Sequence, residues 1–596
     1  MVTVSTQRLR LERQKWRDFC AEEKSKKKMA KFPKPKQKDW ETLYTLRHQN
    51  GEYTKNSKET LNLFANHHFP AIPEQQLSPL EHQENIIEEI INERAYSKAI
   101  SSLQPKKAPG PDKIRNEMLT TCHELLKDPI LHIFKQCLET ARSPNTWNKN
   151  GSIILAKPQK DDYSNPRAFR VISLTSNVQK LLEKIILIYL EDTVKIDKKL
   201  TKNQCGFRKR KGTEAALHKL TRRIEDAISN GQYALGIFLD IESAFDKLKF
   251  NSIRDAMLEI EIPKVIINWI YFMLSNREIT LELHGKSINR KIFRGCPQGA
   301  ILSPLLWNLT LNTLLEREDM DQNFLQAFAD DLAIIIQGTD ISLTMRDIAK
   351  EYLKTIDKWC QENGVKLSAL KTSTVIFSPI NKIYRFEPIT LGDTTIQIDK
   401  EVKFLGITLD KHLRWNSHIK NKTNAAIKLL MASKSYVGKT WGLSPPKIRW
   451  IYNQVILPTL GYACFLWIHR AKTTKYILLM LEKVQKIATS QITGGFSTTP
   501  KITLDSLAGV MPIEINLHNI ATKTAVRLYS NKCWYPDTNL GCKKSYTSHA
   551  RHLDKVLKHL EQYINSPLNE NTQIQNITRN FTISESEITD PKISEN

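Results

Sequence analysis

The sequence predicts a mixed α+β fold built from several subdomains, and three observations carry that expectation. Short apolar runs rich in β-branched residues, such as Leu332-Ala333-Ile334-Ile335-Ile336, have the length of strands and the continuity of strands buried on both faces. These runs are interleaved with stretches of helical periodicity instead of being segregated from them. The length, 596 residues, is more than one core accommodates, so about three or four domains or subdomains are expected.

The elements follow in order. Residues 1–40 open as a charged helical stretch and end in Lys24, Lys26, Lys27, Lys28, Lys31, Lys34, Lys36 and Lys38, broken by Pro33 and Pro35. That composition fits a flexible basic arm for phosphate contact, a nuclear-targeting segment or a solvated linker. Between 84 and 103, Ile86, Ile87, Ile90 and Ile91 recur with helical spacing and lead into a rigid turn, Lys106-Lys107-Ala108-Pro109-Gly110-Pro111-Asp112. A strand is expected at 151–157, then a polar loop and a long helix from about 176 to 192. A strand at 233–240, helices through 250–275, a strand at 278–284 and a hairpin at 324–337 come next, followed by a helix at about 342–363 and a strand at 373–378. After Phe404-Leu405-Gly406 the pattern is helical to about 530, and from about 560 an Asn-, Ser-, Thr- and Glu-rich stretch is expected to be disordered. No internal repeat is present.

Lys and Arg number 88 against 63 Asp and Glu, a net charge of +25, which creates a field suited to a polyanion. Nucleic acid fits better than membrane, because no amphipathic anchor, signal segment or run of about 20 apolar residues accompanies the charge. Nine scattered cysteines fit a reducing, intracellular setting. Cys533, Cys542, His549 and His552 are potential zinc ligands, but their spacing matches no common finger. The sequons at Asn576 and Asn580 have meaning only in a secreted protein.

The tetrapeptide Phe328-Ala329-Asp330-Asp331 lies between the apolar runs 324–327 and 332–336. Adjacent carboxylates at the tip of a hydrophobic hairpin cost desolvation and mutual repulsion, and a divalent cation is the usual compensation. A Phe or Tyr, any residue, then two Asp arises by chance in about one chain in ten of this length, so the flanks matter more than the motif. The apolar run 235–239 also ends in a carboxylate, Asp240. Three carboxylates at strand ends suit two Mg²⁺ ions about 3.5–4 Å apart, as in in-line nucleotidyl transfer, with Mn²⁺ as an alternative. Phe245 stands five positions after Asp240, and Arg294-Gly295-Cys296-Pro297-Gln298-Gly299-Ala300 forms a loop opening a helix. There Gly299 permits close backbone approach, and Gln298 offers a donor and an acceptor to a nucleotide or template base.

In this order, these residues resemble the reverse transcriptase of non-LTR (LINE-type) retrotransposons, most nearly the jockey-like group of arthropod elements. The resemblance spans roughly 85–530. It includes Lys107-Ala108-Pro109-Gly110-Pro111-Asp112, Phe169-Arg170-Val171-Ile172-Ser173-Leu174, Gly206-Phe207-Arg208 with Thr213, and Asn363-Gly364-Val365-Lys366-Leu367 with Lys371. Phe404-Leu405-Gly406-Ile407, Asp410, Trp415 and His418 continue it, and Pro458, Tyr462, Trp467, Gly509, Pro512 and Leu517 resemble the family's thumb and post-thumb helices. It implies a right-hand polymerase architecture, with fingers and a mixed α/β palm at 85–395 and a helical thumb and post-thumb region at 396–530. A basic extension at 1–84 and a partly disordered tail at 531–596 flank them.

The resemblance also implies roles. Asp240, Asp330 and Asp331 would bind the metal ions and Arg170 the incoming phosphates, assisted by Lys157 or Lys160. Phe245 would exclude a 2′-hydroxyl by bulk, Gln298 and Gly299 would pack on the nascent base pair, and Lys371 would be the general acid for pyrophosphate release. A core aromatic and a solvated lysine are the plainer accounts of Phe245 and Lys371. Three positions depart from the family pattern: Val171 replaces a proline, Cys205 an aromatic, and Phe328 the frequent Tyr beside the carboxylates. The implied partners are an RNA template, a DNA primer or target and dNTPs, with synthesis in the nucleus and no membrane. Neither an upstream endonuclease nor a downstream RNase H domain is expected within these residues, as in a fragment of a longer element. A catalytically silent nucleic-acid-binding remnant and an intron-maturase-like RNA-binding protein are the alternatives. Nothing in the residues specifies oligomeric state, template or target site.

Overall fold

A computed structural model describes residues 45–534 and 548–564, apart from 49, 73–76, 82–85, 159, 161, 318–323, 340–342, 379–386, 393 and 435–441. The lysine-rich arm at 1–40, Cys542 and the tail beyond 564 lie outside the described residues. Among the described residues fourteen strands appear in chain order: β1 (Lys149–Ala156), β2 (Phe169–Leu174), β3 (Tyr233–Glu242), β4 (Glu278–Leu283), β5 (Lys286–Lys291), β6 (Phe324–Phe328), β7 (Asp331–Gly338), β8 (Lys366–Leu367), β9 (Ser373–Phe377), β10 (Ile389–Leu391), β11 (Thr394–Ile396), β12 (Ile398–Asp399), β13 (Glu401–Phe404) and β14 (Ile407–Asp410).

The most apolar of these become neighbours. The central sheet has the order β12-β9-β3-β7-β6, with β8 also pairing with β3, and β3 runs antiparallel to both β7 and β9. Its alternation explains the unbroken apolar runs. Leu235, Ile237, Leu239 and Ile241 of β3, with Leu332, Ile334 and Ile336 of β7, enter one core. Ala234 and Phe238, with Ala333 and Ile335, enter another. A strand covered on both faces has no polar positions until it leaves the sandwich, and in β3 and β7 that end is where the carboxylates stand.

The first core is filled from helices Glu93–Ser101, His123–Glu139, Asn177–Asp192, Phe250–Glu259, Lys264–Ser275 and Ser303–Leu315. The second is filled from helix Thr213–Ser229, behind the sheet, and from the helices between 416 and 530. A second sheet, β2-β1-β4-β5, stands beside the first core, and helix Ser57–His68 packs against β4 and β5. Residues 45–69, inside the basic extension read from sequence, are therefore integrated with this sheet: Arg290 donates to the Asn66 side chain and the Phe69 carbonyl.

Among the described residues no single helix is long and apolar enough to cross a membrane. The bent apolar pair Pro445–Leu460 and Cys464–Ala471 carries Leu460, Leu466, Trp467 and Ile468, all fully buried in the second core. Cys542 of the candidate zinc quartet lies outside the described residues, and Cys533, His549 and His552 form no metal-holding group among the described residues. His549 is buried between His218, 3.0 Å from its Nε2, and Glu225, 2.7 Å from its Nδ1. Cys533 instead donates to the carbonyls of Arg210 and Asn531. His549 ties the helix His549–Ile564 to Thr213–Ser229, a structural task.

Candidate active site

The hairpin β6–β7 closes through the pair Phe328↔Asp331, leaving Ala329 and Asp330 as a two-residue turn. Tight hairpin turns require a left-handed residue, and Ala329 takes that conformation at φ 57°, where glycine would be the easy choice. Its neighbours hold it there. Trp307, fully buried, donates from Nε1 to the Ala329 carbonyl at 3.0 Å. The segment 203–206 runs alongside β6, exchanging Ala327 N–Asn203 O and Cys205 N–Ala327 O bonds, both 3.0 Å. Gly206 touches the turn so closely that a Cβ there would collide with the backbone nitrogen of Ala329.

The register places Asp240 directly opposite Asp331 across β3 and β7, on the face that also carries Phe238 and Ala333. Like charges facing across a ladder repel. Burial, then Asp330 and Asp240, push Asp331 up to about 6; burial and Asp240 likewise raise Asp330, against the pull of Lys371 and Arg170. On its other edge β3 meets β8 and the turn at 368–372, where Ser368 N donates to the Asp240 carbonyl at 2.9 Å. That turn delivers Lys371, whose Nζ lies 2.6 Å from Asp240 Oδ2. Lys371 pairs directly with one of the three carboxylates, and Arg170 adds a weaker pull on Asp330, so the cations present leave a negative excess.

That imbalance is the test of fit for a divalent cation: an all-oxygen donor set, raised carboxyl values and a charge deficit suit Mg²⁺ or Mn²⁺. The ligands are not closed around a point as they stand. Among the described residues no three His, Cys, Asp or Glu side chains already form such a group, and Asp240 is engaged by Lys371. The residues that would hold an ion are Asp240, Asp330 and Asp331.

Cations gather on the facing sheet. Arg170 is exposed on β2, opposite Leu155 of β1, and close enough to Asp330 to lower its carboxyl. Lys157, just past β1, donates to the Arg167 carbonyl at 2.8 Å; burial, then Arg170, Lys371 and Lys160, hold its amine below the usual value. Arg170, Lys371 and Lys160 thus all lie near enough to act on Lys157, and Arg170 and Lys371 act on Asp330 as well, an arrangement suited to a polyphosphate.

The loop before helix Ser303–Leu315 is tied to β2 and to the short helix Ala244–Lys247 that follows β3. Gln298 O accepts from Ser173 N of β2 at 2.8 Å, and its Nε2 donates to Asp246 Oδ1 at 2.7 Å. Gly299, exposed and at φ 116°, lies so near Ser173 O that a Cβ would meet it at 2.9 Å. Phe245 is half-buried and meets two rings, Trp307 at 6.0 Å and Phe207 at 5.9 Å by ring centroids. Phe328 is half-buried beside the turn.

Sequence reasoning missed several supports. Glu183, fully buried, accepts from Ile301 N at 2.8 Å and Leu302 N at 3.1 Å, capping the helix that follows the Gln298 loop; burial raises its carboxyl, against these bonds. Asp246 also faces His68 Nδ1 at 3.5 Å, which couples helix Ser57–His68 to the loop. A buried acid in the apolar helix 177–192 was the one available signal for Glu183; Trp307 gave none.

Residues 156–409 match the reverse transcriptase (RNA-dependent DNA polymerase) family. The chain is 27% identical over 446 residues to the probable RNA-directed DNA polymerase from transposon BS of Drosophila melanogaster, covering 72% of this chain and 49% of that protein. It is 27% identical over 404 residues to the RNA-directed DNA polymerase from mobile element jockey of the same species, 65% of this chain and 43% of that one. The retrovirus-related Pol polyprotein from type-1 retrotransposable element R1 of Bradysia coprophila is 26% identical over 391 residues, 66% of this chain and 38% of that protein. The chain thus spans about half the length, or less, of these curated relatives.

Proposed function

We propose that this chain, which carries a reverse transcriptase domain similar to those of non-LTR retrotransposons, is an RNA-directed DNA polymerase that extends a DNA 3′ end on an RNA template. The observation that carries the reading is the opposition of Asp240 and Asp331 across the central sheet, with Asp330 in the adjoining turn. On this reading β3, β7 and β9 form the palm, the β2-β1-β4-β5 sheet belongs to the fingers, and the helices after 416 form the thumb.

Two divalent ions, Mg²⁺ or Mn²⁺, would supply activation of the primer 3′-hydroxyl and charge neutralisation on the triphosphate. The chain's own residues supply the rest. Asp240, Asp330 and Asp331 present oxygen ligands, and burial with mutual repulsion raises the carboxyls of Asp330 and Asp331. Arg170 and Lys157 grip the triphosphate, Arg170 through its planar fork. Phe245 lies under the sugar and excludes a 2′-hydroxyl. Gln298, oriented by Asp246, and Gly299 pack against the nascent pair, and Phe328 flanks the turn. Lys371 releases Asp240 and gives a proton to the departing pyrophosphate as general acid. Synthesis would take place in the nucleus, where target DNA is found.

The test is incorporation of labelled dTTP on poly(rA)/oligo(dT) with Mg²⁺ and Mn²⁺. Incorporation by the wild type, lost on replacing Asp330 and Asp331 with Ala, supports the reading. Salt-dependent RNA binding without incorporation under either metal would replace it with a silent binding remnant.

A further inference from the structure

We propose that Phe207 is a positioning residue for substrate specificity: it backs the Phe245 ring and sets how strictly the site rejects a ribonucleotide. The inference deepens the proposed gate role of Phe245 and rests on it. Phe207 combines two features that neither core packing nor an ordinary surface turn accounts for. It is 53% exposed, so burial does not hold it. It also sits at φ 55°, in the left-handed region that costs a side-chain-bearing residue and that a plain turn would give to Gly or Asn.

The backbone is fixed on both sides of it. Gly206 donates to Gln204 Oε1 at 3.2 Å and its carbonyl accepts from Asn308 Nδ2 at 2.9 Å. Arg208, 9% exposed, spends its guanidinium on Asp197 and the carbonyls of Leu200, Thr201 and Gln204. Strain held this firmly around an exposed aromatic points to a function for its ring.

The ring's contact identifies that function. Phe207 meets Phe245 edge to face, centroids 5.9 Å apart at 82°. Phe245 also meets Trp307, 6.0 Å away by ring centroids, which is fully buried and hydrogen-bonded to the carboxylate turn. Phe245 therefore has one buried aromatic neighbour, Trp307, and one exposed one, Phe207. Without the Phe207 ring, Phe245 gains room to swing from the position where its bulk would meet a 2′-hydroxyl.

The experiment compares kcat/KM for dUTP and UTP on poly(rA)/oligo(dT), using the full chain. Phe207→Gly removes the ring while relieving the left-handed strain, so truncation is read without a folding penalty; Phe207→Tyr keeps the ring. Phe207→Gly should lower the dUTP/UTP ratio about threefold to tenfold, the worth of an edge-to-face aromatic pair. Phe207→Tyr should keep the wild-type ratio, and Phe207→Gly should lower it no further in a Phe245→Ala background. An unchanged ratio in Phe207→Gly, with a lowered one in Phe245→Ala, overturns the backing role and leaves the gate standing. An unchanged ratio in both overturns the gate itself.

Discussion

Asp331 should make the metal-free protein lose stability as pH rises through about 6, and Asp331→Asn should remove that loss. Burial, Asp330 and Asp240 lift its carboxyl from the ordinary 3.8 to about 6. Because the folded value lies above the unfolded one, the folded protein holds the proton more tightly. The stabilisation is complete below about pH 4 and disappears as pH rises through about 6. A difference of this size is worth about 3 kcal/mol at 1.36 kcal/mol per pH unit, and the half-buried side chain is partly screened, leaving ~1–2 kcal/mol. For a cooperative unit of ~200 residues that is a fall of a few degrees in melting temperature between about pH 4 and 7. The assay is thermal unfolding in EDTA, wild type against Asp331→Asn. Saturating Mg²⁺ at about 100 times its Kd should restore ~2.7 kcal/mol above pH 6 in the wild type. Identical pH slopes in the two EDTA-treated proteins would refute the repulsion argument.

Other perturbations separate the supports of the site. Gly206→Ala should cost about 1–3 kcal/mol in denaturant unfolding and abolish incorporation, because its new Cβ meets the Ala329 backbone and not a flexible side-chain end. Arg170→Ala should raise the KM for dTTP about 10- to 100-fold, the loss of charge-assisted hydrogen bonds, while RNA binding by gel shift stays unchanged. Lys371→Ala should lower kcat about 100-fold or more in single-turnover assays with little change in melting temperature, since its ammonium is more than half exposed.

How much of this was legible in the chain follows from the physics of each element. The run 332–336 and its partner at 235–239 were readable because strands covered on both faces carry no polar punctuation, and the carboxylates mark where cover ends. Helix 177–192 and the hairpin at 324–337 were equally plain, from periodicity and from a polar turn between apolar arms. The pairing of Asp240 with Asp331 was not, because register between strands some ninety residues apart depends on tertiary packing. Strand β2 was missed because Arg170 is its one exposed residue while Ile172 and Leu174, on the same alternation, are apolar and half-buried, so neither a clean alternation nor an unbroken apolar run marks it. Strands β10 to β14 are two to four residues long, too short for periodicity to register. The fixation of the Ala329 turn by Gly206 and Trp307, and the capping by Glu183, are contacts across more than twenty residues of chain that no local pattern encodes.

The central claim is that Asp240, Asp330 and Asp331 act as one metal-dependent unit in nucleotidyl transfer. Its most direct test is single-nucleotide extension of a DNA primer on an RNA template at saturating Mg²⁺ by the wild type, Asp240→Asn and Asp331→Asn, each verified to bind the primer–template. The account predicts a rate lower by about 1,000-fold or more in either variant, with the double variant no worse than the single ones, as expected of groups that act together. Extension within tenfold of the wild type by either variant would contradict it.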